Sequence, residues 1–219
     1  MPEPVISRVH DLIADRRLLD HPFYIAWSKG ELSRETLQKY AEQYYHWVHA
    51  FPTWLSSAHA NATDVPMRQA ILENLIDEER GPENHPELWL RFCDALGLDR
   101  ETVRNADLLP ETGAAIARMR EIAREQTAVA TLGALYAYES QQPEVMKTKR
   151  EGLRDLYGVT SGHDYFEVHE RMDVEHSAEE RALLTQYSAG HEDAVAASAQ
   201  RALDATYTLL DGIEKHRRG

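Results

Sequence analysis

The chain has 219 residues, 42% of them hydrophobic and 28% charged, and 24 basic against 37 acidic side chains give a formal charge of −13. That length suits one domain with a substantial core, and an acidic balance without a basic stripe argues against a nucleic-acid surface. A lone cysteine, Cys93, excludes an internal disulfide and fits a reducing cytoplasm, while no signal-peptide core and no apolar run of roughly 20 residues is present.

Helical periodicity runs through nearly every segment, and no stretch alternates with period two for long enough to make a strand. The pattern predicts helices over 3–18, 33–61, 66–80, 86–97, 111–141, 143–157, 163–186 and 189–215. Ser33 can cap the second, Pro66, Pro86 and Pro143 fall at first-turn positions, and Gly97, Gly158 and Gly190 punctuate helix ends. Pro52, inside the second helix, predicts a kink and a freed carbonyl near Val48. Val195, Ala199, Leu203, Tyr207, Leu210 and Ile213 share a stripe on the last helix that either closes the core or buries a homodimer contact. No repeat or linker divides the chain. The expected fold is one all-α domain over 1–219, of about seven to eight helices.

His169, Asp173 and His176 stand at i, i+4 and i+7 in YFEVHERMDVEHS. At about 100° per residue they fall within roughly 60° of one helical face. Two imidazoles and a carboxylate on one stripe suit a divalent transition metal. Taken singly each is an ordinary residue of a solvated face, but Tyr165, Phe166, Val168 and Met172 mark this helix as partly buried. Glu139 shares the apolar stripe of Leu132, Leu135 and Tyr136, where a carboxylate wants a cation or a proton. By itself it reads as half of a structural salt bridge. Glu78 and His85 are seven apart in DEERGPENHPELW, with Gly81 and Pro82 between them ruling out a regular helix. Either the helix breaks and folds back to the metal, or Glu78 ends one helix and His85 precedes the next at Pro86.

Together the six supply three carboxylates and three imidazoles, enough for two metal positions. The set is richer in nitrogen than the four Glu and two His of ferritin-like centres, and the mixture suits iron or manganese better than zinc. His46 and His49, among Tyr44, Tyr45, Trp47, Phe51 and Trp54, form a rival pair that reads better as core or as support for the ligands. Tyr138 abuts Glu139, and Lys147 and Lys149 follow beyond Gln142 and Pro143. These residues leave two readings open: a radical-forming phenol with an amine nucleophile, or a core tyrosine with surface lysines.

The phrases LYAYESQQPEVMKTKREGL and YFEVHERMDVEHS, with DEERGPENHPELW upstream, resemble the CADD family. That family takes its name from the chlamydial protein associating with death domains, and its bacterial members are tied to folate metabolism. The resemblance spans the chain from HPFY at 21–24 to the last metal motif. It implies a haem-oxygenase-like helical bundle, in the branch that uses a dinuclear centre (Fe/Fe or Fe/Mn) with dioxygen and a reductant. It implies metal ligands at Glu78, His85, Glu139, His169, Asp173 and His176, the six already chosen from spacing. It also implies synthesis of 4-aminobenzoate for folate from a tyrosine of the protein itself, which is consumed. By position that residue is Tyr24, with Lys149 as amino donor and Tyr138 and Tyr165 as radical or proton relays.

Three rival functions stand beside this one. The first is an oxygenase of the same branch acting on an external substrate such as a fatty acid or amino acid. The second is a thiaminase-II-like hydrolase, whose catalytic cysteine would have to be Cys93; in LWLRFCDALGL that residue reads more simply as core. The third is an interaction protein, for which no charged stripe or apolar motif specifies a partner. Dioxygen is the expected partner, with no nucleic acid and no membrane.

Overall fold

Side chains that accept from free backbone amides start many of the helices. Ser33 accepts from Thr36 N at 3.0 Å, and Asp64, Asn84 and Thr127 close on Met67 N, Glu87 N and Ala130 N in the same way. The computed structural model describes residues 4–219, so the predicted helix start at residue 3 lies outside the described residues. Among them are eleven α-helices: α1 (Pro4–Asp15), α2 (Pro22–Ser28), α3 (Arg34–Asn61), α4 (Val65–Glu79), α5 (His85–Ala95), α6 (Arg100–Arg104), α7 (Pro110–Glu125), α8 (Ala128–Glu139), α9 (Gln142–Asp155), α10 (Asp164–Tyr187) and α11 (Glu192–Arg218).

The all-α expectation holds, and the helix count exceeds it for local reasons. Helices α2 and α6 have seven and five residues, too few to display a period. α2 starts where the His21 ring accepts from Phe23 N at 3.1 Å, just ahead of Pro22. The helix predicted over 111–141 divides at Gln126–Thr127, because the Thr127 hydroxyl caps a new start. α3 runs through Pro52 as one helix, with the Val48 carbonyl deprived of its usual amide partner.

Every residue of α8 is buried, as befits a helix apolar all round. α11 lies along it and along α7. The approach is close: a Cβ on Gly133 would come within 2.6 Å of Val195 Cγ1. Val195, Ala199, Leu203, Leu210 and Ile213 are buried in the core, so the stripe on α11 closes it. On the other side, α10 packs against α8, α9 and α5, and α3 against α4, α5 and α7. α4, α5, α8 and α10 thus enclose the polar interior, with α2, α3 and α9 beside it. No helix among the described residues is long and apolar enough to cross a membrane.

Candidate metal centre

Glu78 lies in the last turn of α4 and His85 opens α5. Of the two arrangements the spacing allowed, the second is observed, with His85 as the first helical residue. The turn between them has Gly81 at φ +87°, and the Asn84 side chain donates to Gly81 O at 2.8 Å while capping α5. His169, Asp173 and His176 come from α10 and Glu139 from the end of α8. The donors of Glu78, His85 and His169 lie within 4.8 Å of one another, and so do those of Glu139, Asp173 and His176. All six side chains are buried. The six residues of the sequence analysis therefore meet as two adjoining trios.

The donor set fits a pair of metal ions. Each imidazole keeps one buried nitrogen without a hydrogen-bond partner: His85 Nδ1, His169 Nε2 and His176 Nδ1. The other nitrogen is held by a carboxylate in two cases, His169 Nδ1 by Asp173 Oδ2 of the adjoining trio at 3.0 Å and His176 Nε2 by Asp77 Oδ2, outside the trios, at 3.2 Å. A metal-bound histidine has this pattern, one nitrogen for the ion and the other held by a carboxylate. His85 Nδ1 lies 2.7 Å from Glu78 Oε2 but out of line for a hydrogen bond, as two ligands of one ion would be. Burial opposes charge on His176, yet Asp173, Glu139 and Asp77 together raise its pKa to about 10. Burial, and then the charge of Asp173, push the Glu139 carboxyl well above the usual range. Carboxylates packed this closely without water call for cations.

A cavity of about 290 Å³, mouth included, opens onto Glu78, Glu139, His169 and Asp173. Tyr138 and Tyr165 form part of its wall, with Trp47 and Phe51. The Tyr165 ring lies 4.2 Å from that of His169, centre to centre. Tyr24 and Lys149 do not reach this wall. They are joined to it by Tyr44, whose hydroxyl lies 2.6 Å from the Tyr138 hydroxyl. Lys149 is wholly buried, with Met146 Sδ at 3.9 Å as its hydrogen-bond partner. Its Nζ stands over the rings of Tyr44, Tyr24 and Tyr40 at 4.7, 5.4 and 5.5 Å. Burial drives its pKa well below that of an ordinary lysine, which favours the uncharged amine. Lys147, by contrast, is exposed.

The rival pair stays outside both trios; His46 is half-buried, while His49 is exposed, which corrects its reading as core. Cys93 is buried, donates to Ala41 O at 3.8 Å and is pushed up to about 12 by burial, which suits a core thiol and not a nucleophile. Sequence reasoning missed Tyr44 and Asp77 as partners of the site, and Asn74, whose Nδ2 lies 3.5 Å from both Glu139 oxygens. It also missed Glu180, which is buried on the ligand face of α10. The one available signal was Glu180's place at i+4 from His176 and i+7 from Asp173, hidden among exposed Glu175 and Glu179.

Comparison with known proteins agrees with this geometry. Residues 38–207 match the family model described as iron-containing redox enzyme. The 4-aminobenzoate synthase of Nitrosomonas europaea is 42% identical, over 96% of this chain and 91% of its own length. That of Chlamydia pneumoniae is 40% identical, over 92% and 91%. A CADD-like protein of Nostoc punctiforme shares the fold with a TM-score of 0.80 at 17% identity, covering 98% of this chain and 97% of its own. The chain belongs to the iron-containing redox enzyme family, oxidoreductases of haem-oxygenase-like fold, together with the CADD-type proteins its motifs resemble.

Proposed function

We propose that this protein makes 4-aminobenzoate for folate biosynthesis from its own Tyr24, with Lys149 as amino donor. Glu78, His85 and His169 would hold one metal ion and Glu139, Asp173 and His176 the other, as Fe/Fe or Fe/Mn. Dioxygen and a reductant are the co-substrates. The observation that carries this reading is Lys149: an amine sealed from solvent, with its nitrogen 5.4 Å from the centre of the Tyr24 ring. The relatives named 4-aminobenzoate synthase support it.

The pair of ions, when bound, supplies the activation of dioxygen that an oxidation of this kind needs. The residues around them do the rest. Tyr138 and Tyr165 stand at the cavity, and a hydrogen atom can pass from Tyr44 Oη to Tyr138 Oη across 2.6 Å without water. Tyr24 would contribute the ring and its Cβ: the Cα–Cβ bond breaks and Cβ is oxidised to the carboxylate, with dioxygen as electron acceptor. A bond from Lys149 Nζ to the ring replaces the phenol C–O bond, whose oxygen leaves as water, and oxidation at Lys149 Cε by dioxygen breaks Cε–Nζ to free the product; burial favours the uncharged amine this needs. Packing of Phe23, Trp27, Tyr40 and Trp89 around this chamber keeps out water that would quench an oxidised ring. Consumption of Tyr24 limits each molecule to one turnover.

The free space at this cavity is small, with room for a molecule about the size of water or dioxygen. Incubation of the metal-loaded protein with reductant and oxygen, and no organic substrate, tests the reading. Wild type is expected to release less than one 4-aminobenzoate per chain. Tyr24→Phe is expected to bind two metal ions and release none. Product from Tyr24→Phe would overturn Tyr24 as the consumed residue, and none from wild type with both ions bound would favour an oxygenase with an external substrate.

A further inference from the structure

Glu180 is 3% exposed, and neither carboxylate oxygen has a hydrogen-bond partner. No Lys, Arg or His among the described residues forms an ion pair with it. Stranding a carboxylate in this way is unfavourable unless a cation or proton answers it. Its position narrows the choice. At about 100° per residue, Glu180 falls inside the same roughly 60° stripe as His169, Asp173 and His176, one turn beyond His176. Helical side chains lean toward the preceding turn, which aims Glu180 back at His176 and Asp173. Burial and the neighbouring charges of Glu139 and Asp173 all disfavour its ionised form while no cation is present.

The surroundings offer nothing else to hold it. Tyr136, one turn before Glu139 on α8, has its hydroxyl engaged with His10 Nε2 at 2.7 Å. Exposed Arg181 forms no ion pair with it. Charge counting points to the metal. The two trios hold three carboxylates, so two divalent ions leave the centre at −3 + 4 = +1. A fourth carboxylate brings it to zero, and to the carboxylate number of ferritin-like dinuclear centres.

Resting on the metal centre proposed above, we infer that Glu180 is a further ligand, the fourth carboxylate, for the ion held by Glu139, Asp173 and His176. It would swing in from one turn away when that ion binds and make the centre electrically neutral.

The test compares wild type with Glu180→Gln, by calorimetric titration of the metal-free proteins with Fe(II) under anaerobic conditions and by Mössbauer spectra of the 57Fe-loaded forms. Wild type is expected to take up two ions. Glu180→Gln is expected to keep the metal-free fold at wild-type stability or better, and to bind one of the two ions about tenfold or more weakly. One iron signal should change and the other stay as it is. Glu180→Met serves the same purpose if the amide variant fails to fold. Two ions bound at wild-type affinity with unchanged spectra, or a metal-free protein that loses stability while metal binding is intact, would overturn the inference and leave the six-ligand centre standing. A wild-type protein that takes up no iron would overturn the centre itself.

Discussion

Lys149 shows how far one residue's surroundings constrain the chemistry. Lys149 has no carboxylate ion-paired with it, and burial disfavours its ammonium form in the fold although its nitrogen stands over three tyrosine rings. The unfolded chain binds that proton up to the ordinary value of 10.5. Between the depressed folded pKa and 10.5 the unfolded state holds more protons, so stability rises with pH across that window and Lys149 costs stability near neutrality. Lys149→Met is therefore expected to stabilise the metal-free protein near neutral pH by about 1–3 kcal/mol and to flatten the alkaline rise, while abolishing 4-aminobenzoate formation. Thermal melts at several pH values check this, and a destabilised variant would mean that the amine is charged and paired. At this scale the sequence was legible where chemistry repeats with the helix. His169, Asp173 and His176 stand out because two residue types recur on one face. Glu180 does not, because exposed Glu175 and Glu179 beside it look the same in sequence and only burial separates them. Tyr44 was hidden in the same way among the aromatic residues of α3.

At the scale of elements, the meeting of Tyr24 with Lys149 depends on how closely α2 approaches α9. Trp27 is three residues beyond Tyr24 and Gly152 three beyond Lys149, so both pairs share a face. A Cβ on Gly152 would come within 2.6 Å of Trp27 Nε1 and 2.9 Å of Trp27 Cδ1. Gly152→Ala is expected to destabilise the protein by about 1–3 kcal/mol, and to lower the yield of 4-aminobenzoate while two metal ions still bind. Product assay alongside metal analysis reads this out, and an unchanged yield would show that the α2–α9 spacing does not govern the reaction. The long helices were predictable from period, caps and prolines. Two kinds of element were not. α2 and α6 are too short to have a period, and the α7–α8 break carries neither glycine nor proline. Only Thr127 marks it, and threonine is also found inside helices. Glu78 and His85 come close together in the fold, and the form of the turn between them depends on Asn84, whose side chain bonds on both sides.

Across the whole molecule, folding gathers the six candidate ligands from α4, α5, α8 and α10, with α8 buried along its full length. The acidic centre faces a cavity on one side. Beyond the Tyr44–Tyr138 hydroxyl pair, a chamber closed to solvent holds the amine and the ring it is proposed to join. On the proposed reading this division keeps the oxidising site and the consumed residues a short hydrogen-bonded step apart and makes the substrate part of the core. The central claim, that the product comes from the protein's own side chains, is tested most directly by isotope. Protein made with ring-13C tyrosine and side-chain-15N lysine would be loaded with iron or with iron and manganese, then given reductant and oxygen. The account predicts 4-aminobenzoate bearing both labels, in less than one equivalent, with mass changes in the peptides that contain Tyr24 and Lys149. Intact peptides and no labelled product, with two metal ions bound, would contradict it.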